Sequence, residues 1–379
     1  MRTKTKQFNG SQTAPLFIGL IVMIIMMGFV PPVFAADEKL FIGGVSSDWS
    51  SGKASVSTDE GSTWTPIDPA GLGRVYAFVT DSSGDIYAAG SSGAISMYNG
   101  TWSAPVATGV PVVKALAIAP DGKIYAGGYD GTFPWHNSRV SVSADNGASW
   151  TPINPTTDMH DVNDFGIDSS GIVYAAGGNN GSNMGRVSKW NGSGWTDMPL
   201  VANQAVTNIV LDAIGTPIVQ VDSGQGVKKW DGAIWQSLSS GDMGYGTDLI
   251  MDGESNLYVS GMVAPTMAGK LDKYITATSQ WQPMTVPSGY WYSPVRLGLD
   301  PEGHLYFGGS SSNHMDGLLS EWNGSTWVPI TLPAGFGAIY ALSFSGGEAP
   351  PGPVPEPVTV LSFIAGIFML GLRRVLKRR

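Results

Sequence analysis

The feature that most constrains this chain is a pair of short phrases that each occur seven times. The first phrase is an Asp, a turn and an apolar strand, as in DSSGDIYAAG (81–90); KLFIGG (39–44) repeats the strand without its leader. The second phrase is a strand, a tight turn and a Trp, as in VSKWNGSGW. A unit of this kind cannot bury its apolar face alone, so the repeats must pack against one another. The closing tryptophans, 38 to 48 residues apart, are Trp64, Trp102, Trp150, Trp195, Trp235, Trp281 and Trp327.

A repeat of this length, made of short alternating strands, predicts an all-β fold: a seven-bladed β-propeller of four-stranded blades. VYAFVTD is typical of strand one, DIYAAG of strand two and ISMYNG of strand three, while strand four begins at the Trp. Asn-Gly and Asp-Gly between strands three and four favour a hairpin turn, since these residues tolerate positive φ. We interpret the repeated Trp as a packing anchor between blades.

The ends of the repeat region predict that the ring is closed. The first strand after the N-terminal segment, KLFIGG, is a strand two, and the last strand, AIYALSF (338–344), is a strand one. Pairing of these N- and C-terminal strands would complete one blade and leave no open edge.

Both termini carry apolar segments with basic flanks. Residues 16–30 are apolar and lead to small residues, which predicts a signal peptide (1–35) cleaved after Ala35; an uncleaved anchor helix is the alternative. Near the other end, 358–372 carries no charge and would span roughly 22 Å as a helix. The expected domains are the signal peptide, a propeller at 36–346, a Pro-rich linker at 347–357, a transmembrane helix at 358–374 and a basic cytoplasmic tail at 375–379.

The last 26 residues, VPEPVTVLSFIAGIFMLGLRRVLKRR, resemble the PEP-CTERM sorting signal of exported Gram-negative proteins. This resemblance implies that Pro355, Glu356 and Pro357 are recognised by an exosortase-type processing enzyme. It further implies transient anchoring in the inner membrane through 358–374, then release to the cell surface or an extracellular matrix containing exopolysaccharide. The alternative is an ordinary single-pass anchor that follows a Pro-rich linker.

Two of the hairpin turns, STDEGSTW (57–64) and SADNGASW (143–150), resemble the Asp-box of sialidases and other propellers. The other five turns are shorter and resemble kelch-like or galactose-oxidase-like hairpins. The Asp-box resemblance implies a structural turn without a catalytic role. Its residues here are Asp59, Gly61, Trp64, Asp145, Gly147 and Trp150.

Charge and composition exclude several classes of function. Residues 1–36 and 358–379 hold eight of the 21 basic residues and no acid, so the region between them has 13 basic residues against 30 acids, which argues against nucleic-acid binding. The absence of cysteine excludes thiol catalysis and Cys-ligated zinc. We recognise no catalytic constellation, no cofactor fingerprint and no metal-ligand spacing, and therefore predict a protein that is not an enzyme. The dense polar run DMHDVND (158–164) leaves calcium or a transition metal open, against a solvated loop between blades.

Aromatic residues outside the repeated anchors indicate where a ligand would bind. Three of them, Trp49, Trp135 and Trp291, fall in loops predicted for one face, with Tyr290 and Tyr292 beside the last. Exposed rings with few charges suit sugar binding, although they could also dock a protein or pack loops. The sequence therefore favours a non-enzymatic binding or structural propeller associated with exopolysaccharide. The alternatives are a glycan-active hydrolase or lyase and a protein-interaction scaffold.

Overall fold

Alternating β-branched and aromatic residues, separated by Gly, Asp and Asn turns, form strands throughout the computed structural model of the protein. The structure describes residues 38–345 except 133–136, 156–158, 179–183, 239–242, 264–265, 267 and 314, and the side chains of 291–294 are not described. These residues belong to one compact unit that begins at Phe34. The predicted signal peptide and transmembrane segment lie outside the described residues. Within the described ranges, no helix is long and apolar enough to cross a membrane.

The described residues form 28 strands. The first eleven are β1 (Lys39–Ser46), β2 (Gly52–Ser57), β3 (Thr65–Pro66), β4 (Val75–Thr80), β5 (Ile86–Gly90), β6 (Ala94–Tyr98), β7 (Val106–Ala107), β8 (Val112–Ile118), β9 (Ile124–Tyr129), β10 (Ser138–Ser143) and β11 (Thr151–Pro152). The next eight are β12 (Asp161–Ile167), β13 (Val173–Gly178), β14 (Gly185–Trp190), β15 (Trp195–Asp197), β16 (Val206–Leu211), β17 (Pro217–Val221), β18 (Gly226–Trp230) and β19 (Trp235–Ser237). The last nine are β20 (Met243–Met251), β21 (Leu257–Val263), β22 (Ala268–Ile275), β23 (Gln280–Met284), β24 (Tyr290–Leu299), β25 (Leu305–Ser311), β26 (Gly317–Trp322), β27 (Trp327–Ile330) and β28 (Phe336–Ser345).

These strands pair into seven antiparallel sheets of four strands each, which confirms the predicted seven-bladed propeller. Blade 1 has the order β28-β1-β2-β3, and blades 2 to 7 each use the next four strands in sequence, from β4–β7 to β24–β27. Strand one of each blade is the innermost strand. We call the face with the four-to-one and two-to-three loops the upper face, and the face with the one-to-two and three-to-four turns the lower face.

Blade 1 contains both ends of the propeller sequence. Strand β28 pairs with β1 in antiparallel register, with Leu40 opposite Phe344 and Gly43 opposite Ala341. The predicted closure of the ring by the N- and C-terminal strands is therefore confirmed. Leu40 and Ile42 of β1 are fully buried with Ile339 of β28 in one core cluster, so the closing strands also contribute to the hydrophobic core.

The repeated tryptophans link neighbouring blades. In six of the seven described repeats, the indole N–H of the Trp donates to a backbone carbonyl that follows strand four of the preceding blade. This explains a Trp at this position, because its ring fills the seam and its N–H satisfies a carbonyl there. In blade 3, Trp150 instead donates to the carbonyl of Gly147 in its own turn, at 3.1 Å. The six pairs are Trp64 and Thr331 (2.9 Å), Trp102 and Ile67, Trp195 and Ile153, Trp235 and Pro199 (3.1 Å), Trp281 and Leu238 (2.9 Å), and Trp327 and Thr285 (2.7 Å).

The polar run DMHDVND differs from the solvated loop that the sequence favoured. Residues from Asp161 onward form the inner strand β12, and Asp164 lies inside the ring. Asp158 lies outside the described residues. The repeat alignment places a strand one here, and the buried Val162 and Phe165 supply its apolar contacts.

Candidate functional site

Each blade has a β-bulge near the start of strand one. In blade 2, Val75 pairs with Gly90 and Ala77 with Ala89, so Tyr76 between them has no partner on β5. An extra residue of this kind interrupts the alternation of the strand and re-aims its side chain. The other blades have a register shift at the same place.

The bulge residues surround a central cavity of about 580 Å³. One bulge residue from each blade lines the cavity. In blade 7 the register shift spans more residues than in the other blades, and the residue from this segment that lines the cavity is Val295. Further lining residues come from the start of strand one and the end of strand two, so the cavity lies toward the upper face. Its volume is within the usual range for small-ligand pockets. The ring residues, in blade order from 1 to 7, are Tyr340, Tyr76, Lys114, Asn163, Thr207, Thr247 and Val295.

One side of the cavity is aromatic. The rings of Tyr76 and Tyr340 meet edge to face, with centroids 5.4 Å apart. Trp49, in the two-to-three loop of blade 1, packs edge-on against Tyr340 at 6.5 Å, and the guanidinium of Arg74 lies over the Trp49 ring at 5.2 Å. These contacts hold the rings in place, and both tyrosines line the cavity.

The adjoining wall, in blades 3 and 4, is polar and held by an ion pair. The ammonium of Lys114 lies 3.2 Å from a carboxylate oxygen of Asp161 and also donates to Oδ1 of Asn163. The amide nitrogen of Asn163 donates to the carbonyl of Val206 in blade 5, at 2.8 Å. The Lys114 ammonium is also 5.9 Å from the centre of the Tyr129 ring. Lysine, carboxylate and amide are therefore pre-positioned in the cavity wall.

Two aspartates beneath the cavity connect neighbouring blades. The carboxylate of Asp164 accepts the backbone N–H of Phe165 at 2.8 Å and of Ile209, in blade 5, at 2.9 Å. Asp248 has the same arrangement two blades further on, in blade 6, where it accepts the N–H of Leu297 in blade 7 at 2.7 Å. Burial raises the pKa of both carboxyls, that of Asp164 to about 7. Most of their partners are backbone N–H groups, and Asp248 also accepts from the side-chain amide of Asn208 at 2.9 Å, so both carboxylates hold the inner strands in register.

Arg296 closes the same polar layer between blades 6, 7 and 1. Its Nε donates to the carbonyl of Tyr340 at 2.7 Å, and one terminal nitrogen donates to the carbonyls of Thr247 and Val295 at 3.2 Å each. The charge of Arg296 also lowers the pKa of Asp248, against the larger raising effect of burial. In the structure the Arg74 guanidinium stacks on Trp49, while Arg296 is bonded to main-chain carbonyls.

The residues predicted for a ligand face have different positions. Trp49 lies at the rim of the cavity through its contact with Tyr340. Tyr290 lies inside blade 7, where its hydroxyl donates to the carbonyl of Phe307 at 2.9 Å and its ring packs against that of Phe307. Trp291 was expected in a loop, but its backbone belongs to β24. Trp135, and the side chains of Trp291 and Tyr292, lie outside what the structure describes.

The two Asp-box-like turns lie on the lower face, away from the cavity. In the first, Asp59 accepts the N–H of Thr63 at 2.8 Å and the Thr63 hydroxyl at 2.6 Å, while the N–H of Gly61 donates to Ser57 at 2.8 Å. Gly61 has φ +82°, a conformation that favours glycine. The hydrogen bonds from Thr63 lower the pKa of Asp59. The turn of Asp145 makes the same set of bonds.

Sequence reasoning missed the ring of bulge residues. Tyr76, Lys114 and Tyr340 stand in ordinary strand-one phrases, and a bulge leaves no mark in a period-two pattern read from one strand alone. A signal existed in the repeat alignment: the residue after a recurrent Val or Ile of strand one varies in chemistry, as in Val75-Tyr76, Val113-Lys114 and Ile339-Tyr340. Only pairing with strand two shows that this residue is the unpaired one.

Comparison with known proteins shows the fold and no more. No protein-family model and no curated protein matches the chain. Among solved structures, it is similar to a "putative 6-phosphogluconolactonase" from Bacteroides uniformis (TM-score 0.57, 11% identity, 82% of this chain and 100% of that one). It is also similar to virginiamycin B lyase from Staphylococcus aureus (0.51, 10%, 68% and 84%) and to the WD40 β-propeller domain of Doa1 (0.53, 14%, 73% and 87%). The chain is a seven-bladed β-propeller. At such identities, neither the lactonase nor the lyase activity carries over to it.

Proposed function

We propose that the protein is an exported, PEP-CTERM-sorted propeller that binds a segment of extracellular polysaccharide in its central cavity without altering it. The observation that carries the binding proposal is the two-sided lining of the cavity. Tyr76 and Tyr340 offer ring faces to the apolar face of a sugar. In the next two blades, Asp161, Asn163 and Lys114 offer an acceptor, an amide and a donor to sugar hydroxyls.

The charge balance of the protein supports a neutral ligand. The region between the termini has an excess of acids, which repels polyanions at a distance. Inside the cavity, Lys114 is already paired with Asp161, and the donors of Arg296 are bonded to main-chain carbonyls, so both cations are already engaged. A neutral, hydroxyl-rich chain suits this environment better than a phosphorylated or nucleic-acid ligand.

Binding is tested with full-length protein in detergent and neutral polysaccharides from the producing cells, by calorimetry. Tyr340→Ala removes a ring from the cavity wall and is expected to weaken binding by about 5- to 13-fold, as a lost stacking contact of about 1–1.5 kcal/mol implies. Tyr340→Phe keeps the ring and should retain most of the affinity. Ile214→Ala, an exposed change on the lower face, is the matched control. Equal affinity of Tyr340→Ala and the wild type would refute binding at this cavity.

A glycan-active hydrolase or lyase is the second candidate, because two carboxylates line the cavity. Burial raises the pKa of Asp222, while Asp161 is paired with Lys114, so the two have different environments. Chain length of the bound polysaccharide, measured before and after incubation, separates the two functions. If the wild type shortens the polysaccharide and Asp222→Asn does not, the protein is an enzyme and not only a binder. If the cavity binds no glycan and the protein instead captures a defined surface protein, the result would favour the interaction scaffold.

Sorting is tested by the intact mass of the protein at the cell surface. Cleavage after Ala35 and near Pro355-Glu356-Pro357 is expected to remove both apolar segments. Glu356→Ala should leave the C-terminal segment attached and the protein in the inner membrane. A surface protein of full C-terminal mass would contradict the sorting proposal while leaving the cavity proposal intact.

A further inference from the structure

Neighbouring blades neutralise the aspartate of the one-to-two turn with a lysine. In blade 5, the ammonium of Lys229 on strand three lies 2.8 Å from the carboxylate of Asp212. In blade 6, Lys273 takes the same place, 3.6 Å from Asp252, and faces Tyr258 across the strand pair. In each of these two blades, the aspartate of the one-to-two turn therefore has a positive charge beside it.

Blade 7 has an acid where blades 5 and 6 have the lysine. Tyr306 pairs with Glu321 in the register that joins Tyr258 to Lys273. The turn aspartate of this blade is Asp300, and its carboxylate is fully buried. The replacement removes a positive charge from the seam between blades 7 and 1 and adds a negative one.

Two more carboxylates converge on Asp300. One oxygen each of Glu38, Asp300 and Glu302 lies within 4.8 Å of the others. Glu38 is 2% exposed and Asp300 4% exposed, whereas Glu302 faces solvent. His304 Nδ1 lies 2.7 Å from one oxygen of Asp300, which offsets part of the charge. Buried like charges at this separation repel strongly unless a cation lies between them.

The hydroxyl of Tyr306, near the start of β25 and close in sequence to this cluster, is unsatisfied. It is fully buried and has no hydrogen-bond partner among the described residues. The equivalent Tyr87 of blade 2 points its hydroxyl to its own turn aspartate, Asp81, at 3.5 Å. Tyr306 has the same place in its repeat as Tyr87 and pairs with Glu321, so it lies at the same lower end of its blade as the turn aspartate Asp300. A buried polar group of this kind calls for a ligand or an ordered water.

We propose that the seam between blades 7 and 1 binds one divalent cation of the calcium class through Glu38, Asp300 and Glu302. Water from the solvent side completes the coordination, and the Tyr306 hydroxyl contacts that water. Carboxylates and water are hard oxygen ligands, which calcium and magnesium prefer over zinc or copper.

The number of carboxylates favours calcium over magnesium. Calcium takes six to eight oxygen ligands in flexible geometry, and several of them are commonly carboxylates. Magnesium requires a near-ideal octahedron, keeps several waters and is usually bound by only one or two carboxylates. Three convergent carboxylates, two of them buried, therefore suit the larger ion better.

The position of the site gives the cation a structural consequence. Glu38 directly precedes β1, the strand that closes the ring, while Asp300 and Glu302 form the turn between β24 and β25 of the adjacent blade. A bound ion therefore ties the first strand of the propeller to its last complete blade. Calcium at about 100 times its dissociation constant is expected to raise Tm by about 5 °C.

The test uses full-length protein stripped with EDTA and titrated with calcium chloride by calorimetry, with Tm measured in parallel. Terbium serves as a second probe, because Tyr306 beside the site would sensitise its luminescence. One ion per chain is expected. Glu302→Gln, at an exposed turn position that does not affect the core, should weaken calcium binding at least tenfold.

The matched control is Glu254→Gln, which changes the same turn position in blade 6, where Lys273 supplies the charge. It should leave calcium affinity and the calcium-dependent rise in Tm unchanged. Absence of calcium binding by the wild type would overturn the proposal. Equal weakening by both variants would also overturn it, since it would indicate binding to surface acids in general, and equal affinity for magnesium would refute the calcium class.

Discussion

At the scale of single residues, the polar groups inside the ring are bonded to backbone of the next blade. Asp164 and Asp248 occupy the same position, two blades apart, and each accepts N–H groups from its own strand and from the following blade. A carboxylate with two lone-pair oxygens can bridge two strands in this way, which an apolar residue cannot. The cost is burial of an ionisable group, which shows as a raised pKa.

This cost predicts how stability depends on pH. Burial raises the folded-state pKa of Asp164 from 3.8 to about 7, and the charge of Asp248 adds to the effect. Between about pH 4 and 7 the folded protein keeps a proton that the unfolded chain releases, so the free energy of unfolding falls as pH rises. Asp164→Asn removes this proton equilibrium. It should reduce the fall in the free energy of unfolding between pH 4 and 7 by at most about 4 kcal/mol. Urea unfolding of both proteins from pH 4 to 8 measures it.

Asp231→Asn is the control for this prediction. Hydrogen bonds from Gln236, Ile234 and Ala233 lower the pKa of Asp231 below 3.8, so this exposed carboxylate stays ionised throughout the window. The variant should have the same slope of stability against pH as the wild type. A wild-type slope that rises from pH 4 to 7, or one that Asp164→Asn leaves unchanged, would contradict the assignment.

At the scale of elements, the hairpin between strands three and four depends on turn chemistry that is visible in the sequence. Asn191 and Asp231 accept N–H groups from the residues that follow them in their turns. Each is followed by a glycine at positive φ: 93° at Gly192 and 101° at Gly232. The dipeptides Asn-Gly and Asp-Gly therefore predict these turns correctly, because only a few residue types tolerate that conformation.

Substitution of these glycines separates conformation from contact. No atom lies within 4 Å of a Cβ built at Gly232, so Gly232→Ala introduces backbone strain alone. It should lower the free energy of unfolding by about 1–2 kcal/mol. Gly194→Ala is the matched control, since Gly194 also faces open space and lacks a positive φ. Urea unfolding should show it to be neutral or slightly stabilising, and an equal loss in both variants would refute the conformational explanation.

The β-bulges are the elements that sequence does not reveal. The apolar alternation of VYAFVTD predicts a strand correctly, yet it does not show that Tyr76 is left unpaired on β5. The register of an antiparallel pair depends on both strands and on the turn that joins them. The position of the cavity-lining residues is therefore a property of the strand pair and not of either strand.

At the scale of the whole molecule, the closing strand decides whether the ring is complete. Strand β28 supplies Phe336, Ala338, Ile339 and Ala341, which are all buried. It is the inner strand of blade 1, and its removal would expose an unpaired edge on β1. The Pro-rich linker begins only after this strand, so the tail and the fold are separate in sequence.

Two truncations test this separation. A chain that ends at Ser345 should keep the cooperative unfolding of the full-length protein. A chain that ends at Thr331 lacks β28 and should lose more than about 5 kcal/mol, which is comparable to the total stability of a typical domain. Near-ultraviolet circular dichroism and resistance to protease compare the two. Native-like protection of the shorter chain would contradict closure by β28.

The sequence by itself determined the repeat count, the order of strands in a blade, the anchoring tryptophans and the shared first blade. These are local properties: each depends on side-chain period, turn residues and the phase at which the repeat begins and ends. The tertiary structure decided which residues meet at the axis and at the seams. Tyr76 meets Tyr340, and Glu38 meets Asp300, because closure brings distant repeats together. No periodic pattern along one strand contains that information, since each such contact depends on the register of two blades.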